Sequence, residues 1–225
     1  VNGATTYEAE PLPVRDRPED PAQAAEAAFA SLATRRTVRD FSSRDVPEAA
    51  IRAAVAAAGR APSGANQQPW HFVAIRDAGT KAAIRTAAEE EERAFYEGQA
   101  GQAWLDALAP IGTDADKPHL TDAPWLIVIF AQRWGEDGQG GRVKHYYVPE
   151  SVGIACGFLI ATLHEAGLDC LTHTPAPMGF LREICGRPEA EKPVMILAVG
   201  YAAEDARVPA HAGKKKPLDE ILTIR

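Results

Sequence analysis

Cysteine is scarce in this chain, with three in 225 residues. Cys156, Cys170 and Cys185 show neither a C-x-x-C pair nor metal-ligand spacing, so no metal site is expected. An odd, small cysteine count implies a reducing compartment, and the expected location is cytoplasmic. Apolar residues are plentiful at 46%. No apolar run reaches the roughly 20 residues of a membrane-spanning helix, and no basic segment followed by an apolar core opens the sequence, so no membrane partner is expected. Positive charge is also short, with 24 Lys and Arg against 31 Asp and Glu for a net −7. Phosphate-backbone binding needs a basic stripe, and none is visible, which argues against a nucleic-acid partner. Glycine-rich phosphate loops are missing as well. There is no G-x-G-x-x-G after a strand and no G-x-x-x-x-G-K-[ST], so a dinucleotide fold or a P-loop has no support.

What is present reads as an extended arm followed by one domain. Residues 1–20, VNGATTYEAEPLPVRDRPED, mix proline and charge without periodicity, which predicts an extended N-terminal arm. The domain is expected over 21–225, opening on an alanine-rich helix at about 21–34. A second helix follows Pro47 and stops near Gly59, and Pro62 with Gly64 turns the chain. HFVAIRD (71–77) predicts a strand, with a helix from about Gly79 through EEEERAFY (89–96). Residues 98–122 have helical fragments and weak apolar patterning, which predicts a mobile excursion. PWLIVIFAQ from Pro124 is a continuous apolar run of strand length, hence a buried strand. After a loop at GEDGQGGR, SVGIACGFLIATLHEAG (151–167) is apolar on every side, predicting a helix buried all round, with a partner subunit as one cover. LTHTP and PVMILAVGYA predict two further strands. Helices and strands mix without a regular βα repeat, which favours an α+β layered fold over a doubly wound sheet.

Three stretches carry chemistry. In RRTVR, alternate residues of an extended segment point the same way, so Arg35, Thr37 and Arg39 converge on one anion with Arg36 beside them. Such a set suits a phosphate through charge-assisted bonds; a solvated basic patch is the alternative. In APSGANQQPW (61–70), Gly64 permits close backbone approach to a flat ligand, and Asn66 and Gln68 offer amides to a heterocycle edge. A plain helix-to-strand turn is the alternative there. In EEEERAFY, Glu92 and Tyr96 are four apart and share one helical face, while Glu89 to Glu91 read as solvated. Cys156, Trp70, Trp125 and Phe158 read as packing residues, and His145 receives no chemical role.

RRTVR, the PSG-x-N-x-QPW stretch and the spacing between them resemble the FMN-dependent nitroreductase superfamily. KHYYVPESVGIACGFLIATLHEAGL, LTHTP, GRPEAEKPVMILAVGY and KKKPLDEIL extend the resemblance to its iodotyrosine deiodinase branch. The resemblance implies a nitroreductase-like fold with a central, mostly antiparallel sheet flanked by helices. It also implies an intertwined homodimer with FMN at the subunit interface and an active-site lid at about 89–120. The implied reaction removes halogen reductively from 3-iodotyrosine and related halotyrosines; a broad NAD(P)H-dependent nitroreductase or quinone reductase is the alternative. Carried over by resemblance, Glu92, Tyr96 and Lys117 hold the substrate zwitterion, and the Ala65 N–H meets the phenol oxygen. FMN contacts fall on Arg35, Arg36, Thr37, Arg39, Ser63, Gly64, Thr172, His173 and Thr174. The Thr174 hydroxyl bonds to flavin N5 and favours one-electron steps. Lys215 in KKKPL stands at an arginine position of the family, where it supplies charge without the bidentate fork. His173 stands where threonine is more usual. The electron donor stays unidentified.

Overall fold

The computed structural model describes residues 8–225, the side chain of Gln99 excepted. Contacts divide it into two units, one ending at Thr34 and the other spanning Arg35–Arg225. The first contains helix α1 (Pro21–Thr34), which buries none of its residues. Residues 8–20 are exposed and carry no helix or strand; the first seven residues of the expected arm lie outside the described region. The helix 21–34, expected to open the main domain, thus groups with the arm.

The second unit is built on four strands. They are β1 (Trp70–Ile75), β2 (Trp125–Gln132), β5 (Asp169–His173) and β6 (Glu191–Gly200), ordered β1-β2-β6-β5 and antiparallel at every pairing. Side chains alternate across a strand, so the continuous apolar run in β2 serves two cores. Trp125, Ile127, Ile129 and Ala131 face helices α2 (Glu48–Ala58) and α6 (Val148–Glu165). Leu126, Val128 and Phe130 face α3 (Ala78–Ala94), α5 (His119–Asp122) and α7 (Phe180–Ile184). Burial on both faces explains why β2 has no polar alternation.

Local chemistry sets the ends of these elements. Asp77 caps α3, accepting from the Thr80 N–H at 2.6 Å and its hydroxyl at 2.8 Å, which meets one of the orphan donors of a helix start. The segment after Thr34 runs alongside the outer edge of β5 through a parallel bridge between Thr37 and Cys170, with Val38 N donating to Cys170 O at 3.2 Å. RRTVR is therefore extended where it passes β5.

Two expectations need correction. The stretch 135–142, expected as a loop, belongs to a hairpin in which 137–141 form the turn between β3 (Trp134–Glu136) and β4 (Arg142–Lys144). Asp137 closes it by accepting from Gln139 N and Gly141 N, and Gly140 takes the left-handed φ of +79° that the turn requires. Helix α6 is not buried all round within one chain. Ser151, Val152, Ala155, Cys156, Leu159 and Leu163 face the core, but Gly153, Ile154, Gly157 and Phe158 are exposed. Phe158, expected to pack, is 43% exposed. Cys156, Trp70 and Trp125 do join the core.

Candidate functional site

Helix α3 reaches past its last regular turn into a wider one, Phe95–Gln99, closed by Ala100 N donating to Phe95 O at 2.9 Å. Wide turns of this kind are common at functional sites. The chain then climbs through α4 (Gln102–Leu108), which buries none of its residues, and returns to α5. What fixes the return is a polar truss on α3. Lys81 is buried and donates to the carbonyls of Thr121 (3.0 Å) and Ala123 (2.7 Å). Arg85 donates to Glu89 (2.6 Å), Asp116 (2.6 Å) and the Thr121 hydroxyl (3.0 Å), and Glu89 in turn accepts from Lys117 N at 2.9 Å. Glu89, expected to be solvated, is thus a structural anchor for the segment that carries Lys117 and His119.

This truss closes a cavity of about 270 Å³ at the end of β5. Its polar lining includes Glu92, Tyr96, Lys117, Arg39, Thr172 and Thr174; Phe95, Trp104, Leu108 and Ile111 supply an apolar wall. Glu92, Tyr96 and Lys117 therefore do come together, from sequence positions 25 residues apart. Lys117 Nζ lies 3.3 Å from Glu92 Oε2 and also donates to the Thr113 hydroxyl (3.2 Å) and to the Asp114 carbonyl. The Tyr96 hydroxyl donates to Thr113 O at 3.2 Å. All three protons of the Lys117 ammonium are spoken for inside the protein. A ligand carboxylate must replace one of those partners, so the gain from binding it is a difference between two hydrogen-bonded states.

Burial would raise the Glu92 carboxyl, but the His173 hydrogen bond and the Lys117 charge outweigh it and hold Glu92 below the ordinary carboxylate range. Tyr96 is pushed up, by burial first and then by the charges of Glu92 and Asp114, despite its bond to Thr113. At neutral pH the site thus offers a carboxylate, an ammonium and a neutral phenol.

On β5 the alternation separates three neighbours. Thr172 and Thr174 are exposed, whereas His173 is buried. The His173 imidazole, expected among flavin contacts, also meets two side chains of its own chain: Nε2 lies 3.3 Å from Glu92 Oε1 and Nδ1 lies 3.1 Å from His119 Nε2. His119 was not legible as a site residue. A lone histidine in DKPHL has no motif, and only the crossing of α5 over β5 gives it a partner. Burial first, then the charges of His173, Lys117, Arg39 and Arg85, lower His119 from the ordinary 6.5 to about 3, so it is neutral.

The remaining expected residues are distributed as follows. Arg39 lines the cavity, Thr37 bridges to β5, and Arg35 is close enough to Cys170 for its charge to oppose the burial that raises that thiol to about 11. Arg36, beside that set, bends back so that Nη1 donates to Arg35 O at 2.8 Å. Ser63, Gly64 and Ala65 do not line the cavity within one chain, and Ala65 is exposed. Their loop is held in an unusual form: Ala65, Asn66 and Gln68 all have φ near +50°, a conformation that costs on the order of 1–3 kcal/mol per residue and clusters at functional sites. Ser63 Oγ accepts from Gln68 N at 2.9 Å, and Gly64 N donates to Ser151 Oγ at 3.3 Å. Gly64 is required for a different reason from the one expected. A Cβ there would lie 2.7 Å from the Tyr146 carbonyl oxygen and 3.0 Å from the Tyr147 ring, so glycine permits packing on the start of α6. The amides also differ. Gln67 bridges to the Lys144 carbonyl and the Tyr146 N–H, while Gln68 folds onto Asn66. Lys215 is exposed and does not line the cavity.

Known proteins share this fold. A model described as the nitroreductase family matches residues 32–201. The iodotyrosine deiodinase of Haliscomenobacter hydrossis is 52% identical over 182 residues, 81% of this chain and 82% of that protein. That of Hydra vulgaris is 44% identical over 86% of this chain and 71% of its own length. Among solved structures, an oxidised iodotyrosine deiodinase bound to FMN and 3-iodo-L-tyrosine superposes with a TM-score of 0.71 at 30% identity, covering 88% of this chain and 97% of that one. An FMN- and NADPH-dependent nitroreductase shares the fold at a TM-score of 0.66 and 22% identity, covering 88% of this chain and 98% of that one. From matched length, identity and fold together, the chain belongs to the nitroreductase family and, within it, to the iodotyrosine deiodinases.

Proposed function

We propose that this chain is an FMN-dependent reductive dehalogenase that converts 3-iodotyrosine and related halotyrosines to tyrosine and halide. The observation that carries the reading is the meeting of Glu92, Tyr96 and Lys117 in one cavity with the exposed Thr172 and Thr174 hydroxyls and an aromatic wall. A general reductase of flat electrophiles has no use for a carboxylate and an ammonium facing each other in its site. An α-amino acid has use for both.

The donor set fits FMN. Arg35, Thr37 and Arg39 lie on the extended segment beside β5, with Arg36 and Lys215 as further cations for a phosphate. Thr172, His173 and Thr174 sit at the end of β5, and the loop with left-handed Ala65, Asn66 and Gln68 carries the Ala65 N–H for the approach to a flat ring. When bound, FMN supplies the electrons of the net change, in which halotyrosine takes up two electrons and one proton and releases tyrosine and halide. The residues of this chain orient and discriminate. Glu92 takes the substrate ammonium, while Tyr96 and Lys117 take its carboxylate in exchange for Thr113 and Asp114. The Ala65 N–H donates to the phenol oxygen, and Thr174 donates to the flavin edge. Because α4 buries no residue, it can open at low cost and close over a ligand that satisfies all three clamp groups.

The site is completed by a second copy, in an intertwined homodimer. The exposed face of α6 at Gly153, Ile154, Gly157 and Phe158 supports this, as do the exposed Leu218, Ile221 and Ile224 of the C-terminal segment. So does the position of Ala65 outside the cavity of its own chain. The electron donor is a separate, unidentified partner. A fluorescence titration of the FMN-loaded protein tests the reading. Quenching by 3-iodotyrosine well below the concentration needed for 2-iodophenol is expected; equal response to both would remove the clamp from the account.

A further inference from the structure

Arg85 and Glu89 do not line the cavity, yet between them they bracket Lys117. One Glu89 oxygen accepts from Arg85 Nε at 2.6 Å and from the Lys117 backbone N–H at 2.9 Å. Arg85 also reaches the residues on either side of Lys117. It donates to the Asp116 carboxylate at 2.6 Å and to the Thr121 hydroxyl at 3.0 Å, and that hydroxyl donates to Pro118 O at 2.9 Å. On its other flank, Lys117 O accepts at 3.0 Å from the N–H of Leu120, which is fully buried. None of these bonds comes from α4. Helix α3 is itself rooted, because Ile84 and Ala88 are fully buried, whereas α4 buries none of its residues. A lysine ammonium rides on a flexible four-carbon stem, so the reach of Lys117 Nζ is decided by where its backbone is held. A bond from a carboxylate to a backbone N–H is charge-assisted and roughly twice as strong as a neutral one.

We infer that Arg85 and Glu89 are positioning residues that hold Lys117 in place whether α4 is open or closed, and that they thereby set the preference of the site for a ligand bearing a carboxylate. This rests on the halotyrosine reading of the site. The clamp then has a fixed part and a moving part. Glu92 and Lys117 stand on the frame of α3 and α5 before a ligand arrives, and Trp104 and Leu108 close with α4. An amino acid meets partners for both of its charges on the frame first, and closure follows. An amine that lacks the carboxylate leaves Lys117 on Thr113 and Asp114 and gains nothing from the truss.

The test has two arms, both on the FMN-loaded protein. In hydrogen exchange without substrate, the Lys117 amide is expected to be at least about tenfold more protected than the hydrogen-bonded amides of α4, since only the latter open locally at low cost. In flavin-fluorescence titrations, 3-iodotyrosine is compared with 3-iodotyramine, which keeps the iodophenol and the ammonium and lacks the carboxylate. The ratio of their dissociation constants isolates the carboxylate contact, because the contributions of Glu92 and of the phenol cancel. Glu89→Leu removes the acceptor of the Lys117 N–H and is expected to lower the preference for iodotyrosine by about tenfold or more. Arg85→Met is expected to move the ratio in the same direction, and both variants should strip protection from the Lys117 amide. Equal weakening of both ligands is what mere support of the fold would give, and it overturns the inference. A wild-type Lys117 amide that exchanges as fast as those of α4 overturns it even if both variants fail to fold. A wild type that binds iodotyramine as tightly as iodotyrosine overturns the zwitterion clamp and this inference with it, whereas a wild-type preference that both variants retain overturns this inference alone.

Discussion

Glu92 keeps its charge against burial because His173 and Lys117 each contribute a favourable contact, and that charge is what a substrate ammonium requires. Glu92→Gln should weaken 3-iodotyrosine binding by about 2–3 kcal/mol, roughly 30- to 150-fold, read as the dissociation constant in a fluorescence titration; an unchanged constant would contradict the clamp. His119 makes a separate statement about stability. Its proton affinity in the fold is lowered from 6.5 to about 3, so as pH falls below 6.5 the unfolded chain takes up a proton that the folded chain refuses. Stability contributed by this group is therefore present above that range and lost as pH falls, with a slope approaching about 1.4 kcal/mol per pH unit. Urea midpoints between about pH 6.5 and 4.5, above most carboxylates, should fall more steeply for the wild type than for His119→Asn. At Gly64, alanine would drive a Cβ to 2.7 Å from the Tyr146 oxygen, so Gly64→Ala should cost about 1–3 kcal/mol. Gly59, at a right-handed φ of −64° with no contact under 3.4 Å, should tolerate alanine with a gain of about 0.4–1 kcal/mol. Glu92 and Tyr96 were legible because i, i+4 spacing survives into the structure. His119 was not, because its partner lies 54 residues away on another element.

Among the elements, β2 and α4 are opposites. Phe130 is fully buried between the sheet and the helices on its second face, and Phe130→Ala should cost about 3–5 kcal/mol of unfolding free energy. Trp104 on α4 is 62% exposed yet lines the cavity. Trp104→Ala should change unfolding free energy by less than about 0.5 kcal/mol while weakening iodotyrosine binding, a split between calorimetry and titration that an element serving as a lid should show. The sheet was readable for a physical reason: strands buried on both faces leave long apolar runs, and β2 and β6 are such runs. The β3–β4 hairpin was passed over because its arms are three residues each and partly exposed, so neither carries an apolar signature. The truss from Lys81, Arg85 and Glu89 to residues 116–123 was also hidden. An acidic and basic helix face looks solvated until something crosses it.

At the scale of the whole molecule, the outward face of α6 and the apolar side chains of the C-terminal segment are features that a single chain leaves open. The all-apolar pattern of 151–167 was legible, but which face meets a second copy was not, since periodicity does not distinguish a core from an interface. On the proposed homodimer with a shared FMN site, Phe158→Glu, a charge on the exposed face of α6, should halve the mass measured by light scattering and release FMN. Removal of iodide from an amino acid by this protein is read most directly as turnover. FMN-loaded protein, 3-iodotyrosine and excess dithionite under argon should yield tyrosine and iodide in equal amounts, with 2-iodophenol turned over far more slowly. Nitroaromatic reduction by NADPH with no tyrosine formed from iodotyrosine would contradict it.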